Sequence, residues 1–560
     1  MSILGQLKAL AHFRPYLLDS LRGYSTQNLV KDISAGATVG IVALPLAMAF
    51  AMASGLKPEA GLFTAIVAGF LISALGGSRV QIGGPAGAFI VIVFGIVERY
   101  GVANLIIATA MSGVMLFAMG FFKLGVLIRF VPVAVVIGFT NGIAVLVGLS
   151  QIKDLLGLKI AVMPANFFGM LAALASNLHT INYPALLLAA AALAVIVIWQ
   201  VLMPRMDNRA LRFTRLSVVP GSIVALIFTT LAVSIFDLKV DTIGSRFGGI
   251  PSSLPGFAWP DFSWETARFL IVPATTLALL GAIESLLCAR VADGMIDDRH
   301  NSNQELMAQG IANIITPFFG GMPATGTIAR TMTNIKSGAT SPVAGMVHAL
   351  VVLAVILVAA PLANNVPLAA LAAILIFVAW NMGQWNEFAN LRHYRTPYRI
   401  TLLTVFFLTV VFDLTVAVEV GLIAACVTFI YRISSLSRSE QVSAADRPLL
   451  DGQAGRIEAY RLYGALFFGA VKLVEEIADH LPAHTLVLDL KNVIYMDSSG
   501  VDALKDLTQA CRKSGVRLLV CGLMHQPLDI AKRTGLLLRL EDTSLMPDLA
   551  SGLAAAVKSA

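Results

Sequence analysis

The chain has 560 residues, of which 57% are hydrophobic and only 13% charged, and its mean hydropathy is +0.80. Soluble globular chains carry about 25% charged residues, so the composition excludes a soluble globular protein and identifies a polytopic membrane protein. A net charge of +7 would suit nucleic acid, but the basic residues stand in short loops between apolar runs, which is how membrane orientation is encoded, and no nucleic-acid partner is expected. Residues 1–30 are a mixed, amphipathic segment without the apolar core and cleavage site of a signal peptide, and Lys8, Arg14, Arg22 and Lys31 lead into the first apolar run at 33–54. A second run follows to residue 75. The third is broken, beginning with Gly83-Gly84-Pro85-Ala86-Gly87-Ala88-Phe89, and the stretch 86–97 has roughly half the 20 residues a full span needs. Further spans fit 105–121, 131–149, 184–203 and 217–236, while 163–181 is apolar but interrupted by Pro164, Asn166, Asn177 and His179 and reads as a surface-lying helix. Residues 237–265 read as a long external loop.

A second series resumes at 269–289 and 304–319, then breaks at Gly320-Gly321-Met322-Pro323-Ala324-Thr325-Gly326-Thr327. Spans at 342–360, 367–382, 400–412 and 415–433 complete it. Each half thus holds seven segments with the broken one third, and an odd number per half forces inverted orientation. The transmembrane domain is assigned to 31–436, its first repeat to 31–236 and its second to 266–436. Loops assigned to the cytoplasm hold clusters such as Arg205, Arg209, Arg212 and Arg215, and Arg392, Arg395 and Arg399, against sparse outer charges such as Lys57, Lys153 and Arg246. This asymmetry puts both termini in the cytoplasm. Residues 437–455 are polar and read as a linker, and 456–560 carry the pattern of a small α/β domain.

Chemistry concentrates at the breaks. A helix starting in mid-membrane presents unpaired N–H groups and the positive end of its dipole, which suits an anion; alternatively, Gly and Pro there only ease packing. Thr325 and Thr327 add hydroxyl donors. Arg330, one turn into the second half-helix, is either a cationic floor for an anion or a side chain that snorkels to the surface or pairs with an acid. Glu284 is the lone acid of its span, and intramembrane carboxylates often carry protons or cations; it could instead partner Arg330 or reach the inner interface. In the tail, Asp497-Ser498-Ser499-Gly500 opens a helix that Asp or Ser would cap. Cys288, Cys426, Cys511 and Cys521 have no CxxC spacing, so neither a disulfide framework nor a metal site is supported. With no phosphate-binding loop and no hydrolase or protease motif, neither an enzyme nor a cofactor is expected.

Ala43-Leu-Pro-Leu-Ala-Met-Ala-Phe50, Gly83-Gly-Pro-Ala86, Gly281-Ala-Ile-Glu-Ser-Leu-Leu287 and Pro323-Ala-Thr-Gly-Thr-Ile-Ala-Arg330 together resemble the sulfate permease (SulP) family of anion transporters, and the tail is similar to STAS domains. The resemblance implies seven plus seven inverted segments, with a core domain moving against a gate domain, in a bacterial inner membrane. It implies substrate between the third and tenth segments: Phe50 as the aromatic lining, Gly84 to Ala88 and Thr325 to Thr327 around it, a backbone N–H at Ala329, and Arg330 as the site arginine. Glu284 stands where a sodium-coupled bicarbonate branch has an aspartate and Cys288 where it has a threonine, and thiol is a poor ligand for a hard cation. The stretch from Glu284 to Cys288 looks closer to the proton-coupled C4-dicarboxylate branch. The expected function is therefore proton-coupled symport of C4-dicarboxylate, sulfate or bicarbonate. The alternatives are an uncoupled exchanger or channel, a sodium-coupled bicarbonate transporter, or a membrane sensor that signals through its tail. Asp497, Ser498 and Ser499 are the regulatory candidates, Ser499 matching the serine phosphorylated in soluble STAS proteins. The implied partners are the anion, membrane lipid, a second copy of the chain and a cytosolic protein for the tail.

Overall fold

The computed structural model describes residues 13–559 except 127–131, 161–162, 165, 207–219, 254–255, 258, 260–263, 413, 444, 446 and 541–543. Arg209, Arg212 and Arg215 of the expected inner cluster lie outside the described residues. The chain divides into two compact units, Met1–Leu422 and Ile423–Ala560.

The first unit is helical. After α1 (Tyr16–Ser20), Ser25 accepts from the Asn28 N–H and so starts α2 (Thr26–Ala53), and Pro58 opens α3 (Pro58–Leu75) at a position that needs no N–H partner. The first break supplies β1 (Gly83–Gly84) and a 3-10 turn (Gly87–Phe89) that runs into α4 (Ile90–Phe121). Gly101, at φ 80° and ψ 168°, divides α4 into the broken third segment and a fourth. Then come α5 (Val133–Leu156), α6 (Phe167–Asn177), α7 (Tyr183–Met206) and α8 (Gly221–Phe236). α6 is short and capped by Asn166, as its polar flanks suggest.

After α9 (Ile243–Phe247), the second series is α10 (Trp264–Ile296), α11 (Ser302–Ile315), β2 (Thr325–Gly326) with α12 (Ile328–Lys336), and α13 (Val343–Ala359). It continues with α14 (Leu368–Met382), α15 (Trp385–Ala389), α16 (Thr396–Val411) and α17 (Leu414–Leu436). Among the described residues, seven helices are long and apolar enough to span a membrane, and α8, α14 and α16 are shorter apolar helices.

The packing pairs the two series as an inverted repeat does. α2 lies on α13 while its counterpart α10 lies on α4; α3 lies on α13 while α11 lies on α4; α5 meets α16 while α14 meets α7. The self-paired members are α5 with α14, α3 with α11, and β1 with β2, which run antiparallel with Gly83 opposite Gly326 and Gly84 opposite Thr325. α2 to α4 with α10 to α13 form the core set, and α5, α7, α8, α14 and α16 the gate set. Close backbone approach makes this possible. A Cβ on Gly310 would lie 2.5 Å from the Phe117 nitrogen, and one on Gly36 2.3 Å from the Ala344 carbonyl oxygen, the small-residue contact typical of membrane helices.

The second unit holds a five-stranded sheet in the order β3 (Arg438–Gln441), β4 (Ile457–Leu466), β5 (Thr485–Met496), β6 (Arg517–Cys521), β7 (Leu545–Met546). β3 is antiparallel to β4 and the other pairs are parallel. α18 (Lys472–Asp479), α19 (Ser498–Lys513), α20 (His525–Arg533), α21 (Leu536–Arg539) and α22 (Leu549–Ser559) complete the unit. Leu486 and Leu488 pack with α18 and α19, and Val487 and Leu519 pack with Leu549 and Leu553, so both faces are covered as a parallel sheet requires. The expected linker at 437–455 is corrected here: it contains β3, and Val442 and Leu450 are buried against the sheet, so apolar residues too sparse to register as a strand in sequence are paid for by the ladder with β4.

Candidate functional site

The two breaks meet at the β1–β2 pair, and glycine is required there by contact. A Cβ on Gly326 would stand 1.8 Å from Gln81 Nε2, and one on Gly84, at φ 152°, 2.4 Å from Arg330 Nη1. Side chains fix the crossing from below. Thr327 donates to the Ile82 carbonyl at 3.0 Å, Asn334 to the Val80 carbonyl at 2.9 Å, and the Ile82 N–H to Thr331 Oγ1 at 3.0 Å. α10 holds it from the side, because Thr325 donates to the Gly281 carbonyl at 2.9 Å and Gln81 to Ser285 Oγ at 3.0 Å. α3 and α11 hold the approach to the second break: Thr64 and the Met322 N–H share a 2.7 Å bond, and the Asn313 amide spans both polar atoms of Ala324.

These bonds assign the two threonines a role the sequence did not. Both hydroxyls are committed to carbonyls, so Thr325 and Thr327 position the crossing rather than donate to a ligand.

Open donors lie elsewhere. Ala86 is extended (φ −122°, ψ 146°), and beyond it the N–H groups of Gly87 and Ala88 begin a helix and have no backbone acceptor among the described residues; Ile328 and Ala329 start α12 in the same way. Arg330, 1% exposed, donates from Nη2 to the Pro85 carbonyl at 2.9 Å, and its Nη1 has no hydrogen-bond partner among the described residues. A buried guanidinium with one arm open is a cation held ready for an anion or a further acceptor. Phe50 from α2 and Met382 from α14 flank Gly87, 3.6 and 3.7 Å from where its Cβ would be. Sequence reasoning found Phe50 and missed Met382, the gate-set contribution, because an unbranched apolar residue at a helix end carries no local mark.

Glu284 is half-buried on the α10 face that also carries Gly281, Ser285 and Cys288, the residues bonded to the crossing. Among the described residues it makes no ion pair with Arg330, whose Nη2 is bonded to the Pro85 carbonyl instead. Cys288 is buried with its Sγ 3.3 Å from Thr331 Oγ1. His348 on α13 is fully buried and lies close behind Gly69, which in turn adjoins the Gly83 carbonyl.

In the second unit Asp497 caps α19 by accepting from the Gly500 N–H at 2.9 Å. Ser498 is exposed, while Ser499 lines a hollow with Glu475, Asp502 and Asp506. That acidic rim opposes a bound or attached phosphate, although the helix terminus favours one.

Residues 29–405 match the sulfate permease family and residues 453–549 the STAS domain. The chain is similar to YvdB of Bacillus subtilis, a candidate sulfate transporter, with 43% identity over 520 residues covering 92% of this chain and 95% of that one. It is also similar to the bicarbonate transporter BicA of Picosynechococcus, with 31% identity over 522 residues covering 89% and 90%. The solved transmembrane domain of a cyanobacterial BicA aligns with a TM-score of 0.61 at 30% identity, covering 72% of this chain and 98% of that one. SLC26A9 shares the fold, with a TM-score of 0.86 at 18% identity over 100% of this chain and 95% of that one.

Proposed function

The chain belongs to the sulfate permease family, and from that premise we propose that it is a secondary active transporter that moves a small anion across the membrane by an elevator-like motion of the core set against the gate set. The observation that carries this reading is Arg330: a buried guanidinium, one nitrogen open, at a crossing where two helix starts leave backbone N–H groups unpaired. Each helix N-terminus contributes about half a positive charge, so the crossing and the arginine together favour an anion. Phe50 and Met382 close the site from the core and gate sides, and the Ala329 N–H serves where its methyl side chain cannot. Sulfate and bicarbonate lead as substrates, because the relatives are named for them. The C4-dicarboxylate branch expected from the stretch at Glu284 has no support among these relatives and ranks behind.

Coupling is assigned to protons through Glu284, which shares a helix face with the residues that hold the crossing. Sodium coupling is disfavoured because Cys288 offers a thiol, and that thiol is engaged with Thr331. The chain works as a homodimer with both termini in the cytoplasm of a bacterial cell, and Asp497, Ser498 and Ser499 mark the face of the STAS domain where a cytosolic protein would act. The test is uptake of radiolabelled sulfate and bicarbonate into proteoliposomes with and without an inward proton gradient. Gradient-driven accumulation is expected, and Glu284→Gln should remove the gradient dependence while leaving the Kd within about threefold. Equal uptake under both conditions would replace symport by the exchanger or channel reading.

A further inference from the structure

Beside the crossing, a cavity of about 350 Å³ opens between the C-terminal end of α2, the start of α4 and the last turns of α5. Met52 and Ile90 are among its lining residues, two residues beyond Phe50 and one beyond Phe89 in the chain. Its walls are largely apolar, with Phe94, Met170 and Phe247 prominent. Four charged residues line it, and three are engaged. Arg246 donates to Asp154 at 2.6 Å, and Glu98 has an interaction of its own. Lys153 differs: it is 7% exposed and feels the charges of Asp154 and Asp241 on one side and Arg246 on the other, yet among the described residues its ammonium makes no direct hydrogen bond or ion pair. A largely buried lysine whose acidic neighbours make no direct contact leaves its ammonium able to take a further anion from the cavity.

We propose that this cavity is a second anion subsite, for an organic anion whose carboxylate or sulfonate pairs with Lys153 and whose apolar body lies on Phe94, Met170 and Phe247. The walls select the class. A strongly hydrated inorganic anion needs several donors, and the nearby polar groups are turned on each other, Gln151 Nε2 donating to Ser150 Oγ at 2.9 Å. An apolar body gains by leaving water for such walls, and the volume lies in the range that encloses a small organic molecule. The cavity separates α2 and α4 of the core set from α5 of the gate set, so an occupant there blocks their closure at this end; that consequence rests on the transport reading, whereas the binding does not.

The full-length protein in lipid nanodiscs is titrated with naphthalene-2-sulfonate, followed by its fluorescence, and with the neutral naphthalene-2-sulfonamide as control. The sulfonate should bind; Lys153→Met should weaken it about tenfold and leave the sulfonamide unchanged, and Lys153→Arg should restore binding to within about threefold. Neither excess sulfate nor Arg330→Gln should displace it. Unchanged sulfonate affinity in Lys153→Met overturns the subsite, and so does loss of binding with sulfate or in Arg330→Gln, which would place the probe at the crossing. If the wild-type protein binds the sulfonate but moves no anion, the transport reading falls and the subsite stands; if it transports sulfate and binds no sulfonate, the reverse holds.

Discussion

Arg330 and Gly84 form one functional unit, because the space the guanidinium occupies exists only where residue 84 has no side chain. Gly84→Ala should therefore act on ligand binding like a change to the arginine itself. Its Cβ would stand 2.4 Å from Nη1 at a backbone angle that alanine rarely adopts, and the guanidinium must withdraw from the crossing. A charged hydrogen bond contributes about 1.5–3 kcal/mol, so the sulfate Kd should rise by roughly one to two orders of magnitude in Gly84→Ala and in Arg330→Gln alike. Calorimetric titration of the purified variants checks this, and a Gly84→Ala protein that binds sulfate as the wild type does would separate the two residues. The sequence made Arg330 visible because a charge in an apolar background has to be explained. It could not reveal that Thr325 and Thr327 face inward: a hydroxyl beside glycines looks the same whether it meets a ligand or the carbonyls of Gly281 and Ile82.

Helices are where sequence served best. Gly and Pro at the breaks mark the two half-helices without any knowledge of their partners, whereas Gly101, which ends the third segment by its backbone conformation, carries no mark in sequence that sets it apart from other glycines. What stayed hidden is which glycines face another helix, since contact depends on rotation and neighbour rather than on local pattern. Gly310 and Gly148 make the contrast. A Cβ on Gly310 would lie 2.5 Å from the Phe117 nitrogen and 2.7 Å from the Gly113 carbonyl oxygen, whereas around Gly148 nothing lies within 4 Å. Gly310→Ala should force α11 away from α4 at a cost of about 1–3 kcal/mol or more, and Gly148→Ala should stabilise α5 by about 0.5–1 kcal/mol. Melting of the detergent-solubilised protein followed by size-exclusion chromatography reads both. Equal melting temperatures for the two variants would show that the α4–α11 contact yields more readily than its backbone spacing implies.

At the scale of the whole molecule, the internal two-fold was legible as a count of segments and as the echo of Gly-Gly-Pro-Ala in Gly-Gly-Met-Pro-Ala-Thr-Gly, but the exchange of partners between α2–α13 and α10–α4 is a property of packing that no single stretch encodes. The boundary of the second unit shows the opposite failure. Charged, polar residues at 437–455 read as a linker, yet β3 pairs with β4 along four positions and the Val442 N–H donates to the Ala459 carbonyl at 2.8 Å. A fragment of residues 437–560 should consequently fold as a soluble domain, while 456–560 should not hold the same stability. The shorter fragment lacks Val442 and Leu450, each contributing about 1.5–3 kcal/mol by burial, against a total of about 5–15 kcal/mol for a domain of this kind. Cys521 reports the difference. Burial, with smaller contributions from the charges of Asp489 and Asp548, pushes its thiol up to about 12 in the folded sheet, so at pH 8 it should resist alkylation in 437–560 and react in 456–560 as an ordinary cysteine with a pKa near about 8.5 does. If the two fragments unfold at the same urea concentration and protect Cys521 equally, β3 is an appendage to the sheet; if only the longer one protects it, the domain begins at the strand.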